Sequence, residues 1–304
     1  MQVGNRYLLV GLFLFVFFLN ACTEATLQEK ERETKGILHV YPEWEEQEAT
    51  DMLNTHLYPM KANPLHLETA SSEYRITAEA GDYSIISHNI NTSGIDFTDL
   101  DDYGQAKATA IQINPTKADA KELLPSENAF RLAVESAKVA AAEETIVHSR
   151  MHPLTRTLSL QFIVTNGDKY QRISGMLEGV YYAVYLATGQ PVGDDTDWKI
   201  PFEIEINGDN RATAIIHLLG LYNPANGEHY ENKMHLELED DEANSYWTDV
   251  DLSEVITDIL NSNKGDIPID IPVEIEVELE VIDGGLTATV NPWEAGKGTG
   301  EIKE

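Results

Sequence analysis

Carboxylates are the chemistry this sequence offers most freely, with 52 Asp and Glu against 21 Lys and Arg in 304 residues and a formal charge of -31. The densest run is Asp96-Phe97-Thr98-Asp99-Leu100-Asp101-Asp102-Tyr103-Gly104. Counted from Asp99 as an EF-hand loop, Asp101 falls third and Gly104 sixth, as required, but Tyr103 falls fifth and Ala110 twelfth, where a bidentate Glu must close the shell. The segment is no EF-hand. A solvated loop is the plainer reading and an irregular Ca²⁺ site the competing one, and the same holds for Gly193-Asp194-Asp195-Thr196-Asp197 and Glu239-Asp240-Asp241-Glu242. The nine His are scattered. His148 and His152 are four apart, but Pro153 opposes the helix that would bring them to one face, and His229 and His235 lack zinc-ligand spacing. There is no Gly-x-Ser-x-Gly, no Gly-rich phosphate loop and no His-Glu-x-x-His. A glycosidase pair would have to be assembled in space from this excess of acids, and none stands out. The residue types point to no enzyme, no metal centre and no cofactor.

The one residue with a defined covalent chemistry is Cys22. Arg6 is the single cation ahead of an apolar run, Leu8 to Leu19, and Leu19-Asn20-Ala21-Cys22 follows before the composition turns polar and acidic. A charged start, a short apolar core and a small residue before the cut describe a secretory signal peptide over residues 1–21. The run is short for a membrane span, which needs about 20 apolar residues. The four residues ending at Cys22 resemble the bacterial lipobox, in which that Cys becomes the first residue and carries a diacylglyceryl thioether and an N-acyl chain. The competing reading is an ordinary signal peptide with an incidental Cys. Cys22 is the only cysteine of the chain, so it forms no intramolecular disulfide, and lipidation accounts for an odd thiol in an exported protein. Several acyl chains, at about 0.8 kcal/mol per buried CH₂, hold a soluble domain on a membrane far better than one.

The elements that would follow this anchor are almost all strands. Thr23 to Lys35 has many charges and no apolar periodicity, so residues 22–35 are expected to be a tether. Gly36 to Pro42 is apolar with β-branched and aromatic members and predicts the first strand. Trp44 to Asn63 is polar and predicted to be irregular. Leu65–Glu68 and Glu73–Ala78, with Ser71-Ser72 between them, predict a hairpin, and Tyr83–Asn89 and Gln105–Ile113 predict further strands. Phe130 to Glu144 is Ala-rich, which favours helix, yet Phe130, Leu132 and Val134 alternate, and a strand followed by a loop is the preferred of the two. Thr155–Thr165 alternates, with Leu158, Leu160, Phe162 and Val164 on one face. Ile200–Ile206 and Ala212–Leu221 flank Asn207-Gly208-Asp209-Asn210 and predict a hairpin. Met234, Leu236 and Leu238 share a strand face. Leu252, Val255, Ile256, Ile259 and Leu260 have helical spacing, with Asp251 or Ser253 as N-cap.

From Ile267 to Val281 every second residue is Ile, Val or Leu, and every residue between is Pro, Asp or Glu. Such a strand puts all its aliphatics on one face and its acids on the other, as in an antiparallel sandwich with one buried and one wet face. Pro268 and Pro272 each remove a ladder donor, which places the first half at an edge. Asp283-Gly284-Gly285 turns the chain into Leu286–Val290. Many short strands, turn residues between them and little helix predict an all-β chain of two β-sandwich domains in tandem, residues 36–150 and 151–304. The acidic charge repels nucleic acid, which excludes that class of partner. Tyr181, Tyr182 and Tyr185 are candidates for a sugar-stacking surface, but in a strand Tyr182 lies opposite the other two, and core is preferred for all three.

Cys22 and an acidic tether ahead of two β-rich halves, Pro153-Leu154-Thr155-Arg156-Thr157-Leu158-Ser159-Leu160, Ser174-Gly175-Met176-Leu177-Glu178-Gly179-Val180-Tyr181, and the ending Val290-Asn291-Pro292-Trp293-Glu294-Ala295-Gly296 together resemble the fimbrillin-type and fimbrial-anchor lipoproteins of Bacteroidetes. The resemblance spans nearly the whole mature chain and rests on a loose rhythm of motifs. It implies transthyretin-like, Greek-key sandwich domains, an outer-membrane, cell-surface location through lipid on Cys22, and a role in fimbriae that mediate adhesion. It also implies partnership with other fimbrial subunits by strand addition, in which a subunit lacking one strand takes it from a neighbour. Stalk subunits of that family are freed by a trypsin-like cut after Arg or Lys, and Arg32 and Lys35 stand at that place here, just before Ile37, Leu38 and Val40 of the strand that would be exchanged. Anchor subunits keep the lipid. The segment Glu294–Glu304 is short, Gly-rich and charged, a poor donor strand, which favours an anchor or accessory subunit over a stalk or tip subunit. The competing class is an outer-membrane glycan-binding lipoprotein.

Overall fold

The structure, a computed structural model, describes residues 34–44, 52–90, 93–114, 121–126, 130–193, 197–206, 210–222, 232–262 and 273–291. In chain order the strands are β1 (Lys35–Trp44), β2 (Met52–Pro59), β3 (Leu65–Ala70), β4 (Tyr74–Glu79), β5 (Gly81–Asn89), β6 (Ile95–Thr98), β7 (Lys107–Ala110), β8 (Arg131–Val139), β9 (Glu144–Pro153), β10 (Arg156–Val164), β11 (Tyr170–Glu178), β12 (Ala183–Tyr185), β13 (Lys199–Glu205), β14 (Arg211–Leu218), β15 (Lys233–Asp240) and β16 (Ser245–Asp251), then helix α1 (Ser253–Ser262), then β17 (Val273–Ile282) and β18 (Gly285–Val290). The all-β, β-sandwich fold class expected from the sequence is what the chain adopts. By its contacts the chain divides into two compact units, Met1–Ile85 with Val134–Arg150, and Ile86–Ala133 with Met151–Glu304. The chain passes between these units inside β5, β8 and β9. A cut inside a strand leaves no Gly- or Pro-rich linker to mark it.

A seven-stranded sheet runs in the order β3-β2-β5-β8-β9-β1-β4. The core of the first unit gathers Leu38, Val40, Leu57, Tyr74, Ala78, Tyr83, Ile85, Val139 and Val147. Two expectations are corrected here. β3 and β4 do not form a hairpin, because β3 pairs with β2 and β4 with β1, at opposite ends of the sheet order. The segment expected to be irregular contains β2, whose Thr55 and His56 are buried. Burying such groups is tolerated when they are hydrogen-bonded. Thr55 Oγ1 meets Thr69 Oγ1 at 2.8 Å and the Tyr74 hydroxyl at 3.4 Å, and His56 Nδ1 meets His66 Nδ1 at 2.7 Å. The Phe130–Glu144 ambiguity resolves as strand β8.

The second unit holds two four-stranded sheets, β14-β10-β17-β18 and β13-β11-β15-β16, and a small sheet β12-β7-β6. Leu158, Leu160, Phe162 and Val164 of β10 and Val273, Ile275, Val277 and Leu279 of β17 are buried on the inner face, as the alternation required. Phe162 stacks on Phe202 of the facing sheet, ring centroids 6.0 Å apart. β10 and β17 run parallel, with Leu158 opposite Val273 and Val164 opposite Leu279, where an antiparallel neighbour was expected. Alternation reports which faces are wet and is blind to strand direction. The predicted Ile200–Leu221 hairpin is also corrected: β13 pairs with β11 and β14 with β10, in different sheets. The proline-containing start of the alternating segment lies outside the described residues, and β17 itself sits between β10 and β18. Asp283 and Gly284, at φ 51° and 81°, make the two-residue turn into β18, a conformation that favours Gly. In α1, Val255, Ile256, Ile259 and Leu260 are buried. The Asp251 carboxylate accepts from the Ser253 amide at 2.9 Å, and hydrogen bonds to Ser253 hold its pKa below the usual range.

Gly175 of β11 lies opposite Phe202 of β13, and a Cβ there would stand 2.1 Å from the ring. Gly175→Val is expected to cost about 1–3 kcal/mol through overpacking, seen as a lower urea midpoint. An unchanged midpoint would show that the ring is free to swing away.

Candidate functional site

Of the residues singled out in the sequence, Cys22 and Arg32 lie outside the described residues. Lys35, Ile37, Leu38 and Val40 all fall in β1. This strand is interior to its sheet, between β9 and β4. On the β4 side the register runs from Lys35 opposite Glu79 to Val40 opposite Tyr74. On the other side the Ile37 amide donates to the Glu143 carbonyl at 2.9 Å, and the Lys35 carbonyl accepts from the Ala142 amide at 2.8 Å. Gly36 is required at the entry: a Cβ would stand 2.1 Å from the Ala140 carbonyl oxygen.

The two faces of β1 do different work. Leu38 and Val40 are fully buried in the core, which makes them the apolar pegs of the strand. Full burial is worth about 1.5–3 kcal/mol for side chains of this size. Ile37 faces out and is 41% exposed. Beside it on that face His39 is buried, with Nδ1 2.9 Å from Glu144 of β9, Nε2 3.4 Å from Glu73, and the Tyr41 hydroxyl 3.2 Å away. Tyr41 stacks on His148 of β9 at 5.6 Å, and His148 Nδ1 meets Glu43 at 2.7 Å. Trp44 closes the strand by donating its indole N–H to the Ser71 carbonyl at 2.9 Å. The sequence showed β1 as a strand but not this cross-strand row of imidazoles and carboxylates, because its members lie up to 105 positions apart. A cavity of about 620 Å³ opens at the start of β1, lined among others by Lys35, Met60, Leu65, Glu79 and Tyr83. Lys35 Nζ stands 3.9 Å from Glu79. The Tyr83 hydroxyl donates to the Glu79 carbonyl at 2.9 Å, and burial, then the Glu79 charge, raises its pKa.

Asp194, Asp195 and His229 also lie outside the described residues, and several of the other sequence candidates have structural partners. Asp99 pairs with Lys107 at 2.7 Å, and Asp102 accepts from the Gly104 amide at 2.9 Å. Asp240 caps the β15–β16 turn by accepting from the Asn244 side chain and from the amides of Asn244 and Glu242, and those hydrogen bonds lower its pKa. Tyr181 packs edge-on against Tyr222, and Tyr182 stacks on Trp198 at 4.3 Å. Among the described residues no group of three or more His, Cys, Asp or Glu is placed to hold a metal ion. The arrangement around β1 holds the strand in its sheet from both sides.

No protein-family model and no curated protein matches the sequence. Solved structures do match in fold. A candidate adhesin from Bacteroides ovatus superposes with a TM-score of 0.59 at 15% identity, over 79% of this chain and 89% of that one. A candidate polysaccharide-binding protein from Bacteroides thetaiotaomicron gives 0.56 at 8% identity, over 86% and 99%. The fimbrial anchor protein Mfa2 from Porphyromonas gingivalis gives 0.51 at 14% identity, over 84% and 97%. The likeness at these identities is one of fold, and it falls among the Bacteroidetes adhesin and fimbrial-anchor structures that the sequence resembled.

Proposed function

We propose that this protein is a structural cell-surface subunit of a fimbria, an anchor or accessory component that keeps its own first strand and is held in the outer membrane by lipid on Cys22. The observation that carries the reading is the seating of β1: an interior strand with Leu38 and Val40 fully buried and the Lys35 carbonyl bonded to Ala142. A trypsin-like protease needs its scissile segment extended and unpaired, so cleavage after Lys35 first requires β1 to leave the sheet. A subunit that keeps this strand, and is left uncut at Arg32, keeps its lipidated end and is suited to fix a fibre to the membrane. The fold shared with a fimbrial anchor protein supports the same reading. Other subunits are its partners, joined by strand addition at a sheet edge, and adhesion is the property of the assembly. The competing maturation is a cut after Arg32 or Lys35 that frees a stalk or tip subunit.

Intact-mass analysis of the protein from its native membrane tests this. The expected mass begins at Cys22 and includes acyl chains. A lipid-free mass beginning after Arg32 or Lys35 would replace the anchor by a proteolytically matured subunit.

A further inference from the structure

We propose that the outer face of the sheet β13-β11-β15-β16 docks a basic segment of a partner protein, whose Lys or Arg side chain lies over the Trp247 indole and gives its charge to Glu237. The proposal is independent of the fimbrial reading. The inner face of this sheet carries Ile173, Leu177, Met234, Leu236, Leu238 and Val250, all buried. The alternate residues face outward and align in cross-strand rows. The Arg172 guanidinium donates to Glu239, which lies opposite it, and diagonally to Glu203 at 3.2 Å. His235 meets Asp249 opposite it, at 2.6 Å from Nδ1, and diagonally Glu178, at 3.0 Å from Nε2, and Glu178 also receives Lys199. Lys233 lies opposite Asp251.

Glu237 stands outside this network. Its neighbours across the sheet are Ser174 on one side and Trp247 on the other. Among the described residues no ion pair to Glu237 is formed, whereas Glu203, Glu239, Glu178 and Asp249 each have a basic partner. Trp247 is 67% exposed. An indole face beside an unneutralised carboxylate attracts a cation twice over, by its quadrupole and by charge.

The protein itself shows the completed arrangement elsewhere. Lys121 Nζ lies 5.9 Å above the Trp198 ring and 3.4 Å from Asp197. Trp247 with Glu237 has the same ring and carboxylate and, among the described residues, no cation. The formal charge of -31 adds a long-range field that draws basic partners and repels acidic ones. A neutral glycan would stack on the same indole without using that charge, so salt separates the two occupants.

The test uses the full chain and a labelled peptide of alternating Arg and Gly, followed by fluorescence anisotropy. Binding is expected to weaken about tenfold in Trp247→Ala and several-fold in Glu237→Gln, to be largely retained in Trp247→Phe, and to fall steeply on raising salt from 0.05 to 0.5 M. An exposed site leaves the melting temperature of the variants unchanged, which separates lost binding from lost fold. Peptide affinity equal in wild type and Trp247→Ala overturns the proposal. So does salt-insensitive binding of a neutral polysaccharide such as dextran that is abolished by the same substitution, which would assign the indole to sugar.

Discussion

Leu38→Ala is expected to lower stability by roughly 2–5 kcal/mol, the cost of deleting a buried branched side chain and leaving a cavity. Leu38 is fully buried in β1 among Leu57, Tyr74 and Val147, while Ile37 beside it is 41% exposed. Ile37→Ala should therefore cost well under half as much, and the contrast between neighbours isolates the inward pegs of the strand. Urea unfolding reads both. The functional consequence is exchange. With one peg removed, β1 should be displaced by excess synthetic peptide of sequence Gly36–Trp44, detected as a mass increment on the folded protein, whereas wild type should take up far less. Equal uptake by both, or a Leu38→Ala midpoint within error of wild type, would show that β1 is loosely seated and remove the basis for an anchor that keeps its strand.

Acidification from pH 6.5 to 4 should destabilise the second unit by about 3 kcal/mol through His88 alone, at 1.36 kcal/mol per unit of pKa shift. His88 is 1% exposed and stacks on Phe97 with centroids 3.6 Å apart. Burial pushes its pKa from 6.5 down to about 4, against a hydrogen bond to the Asn89 carbonyl that acts to raise it. Below pH 6.5 the unfolded chain binds the proton that the folded chain refuses, so stability falls with pH until the folded imidazole itself titrates. His235 has the opposite sign. Hydrogen bonding to Asp249 first, then to Glu178, raises its pKa against a desolvation cost, so its contribution is present below pH 6.5 and lost as pH rises through the raised value. The lowered carboxyls of Asp240 and Asp251 act only at lower pH, below their ordinary value of 3.8. Comparing His88→Gln with wild type removes the carboxylate background. The variant should be less stable at pH 7 yet lose about 3 kcal/mol less on going to pH 4. Parallel pH profiles would mean that the His88 pKa is the same in the folded and the unfolded chain.

The alternation of Leu158 to Val164 and of Val273 to Leu279, the amphipathic Leu252–Leu260 and the Asp283-Gly284 turn were all legible along the chain, because each depends on neighbours within a few residues. Burial on one face leaves its period in the sequence whatever the partner strand is. The choice of partner leaves no such mark. The segment after Ile206 reads as a reversal, yet the chain enters the facing sheet instead of pairing with the strand it left. A turn residue specifies backbone torsion at one point, and the sheet that the chain then joins is set by which apolar faces must meet. β2 escaped notice for a related reason. Its Thr55 and His56 carry polar groups that belong inside only once Thr69, Tyr74 and His66 are beside them. The candidate site divides in the same way. Local composition marked Gly36–Pro42 as a strand and Ile37, Leu38 and Val40 as its apolar residues, without separating the outward Ile37 from the two buried ones. Its interior place between β9 and β4, the clash that demands Gly36, and the clasp of His39 by Glu73 and Glu144 arise from segments distant in sequence. Covalent period reveals what a strand buries, whereas non-local contact decides which strand lies beside it, and here that neighbour relation carries the function.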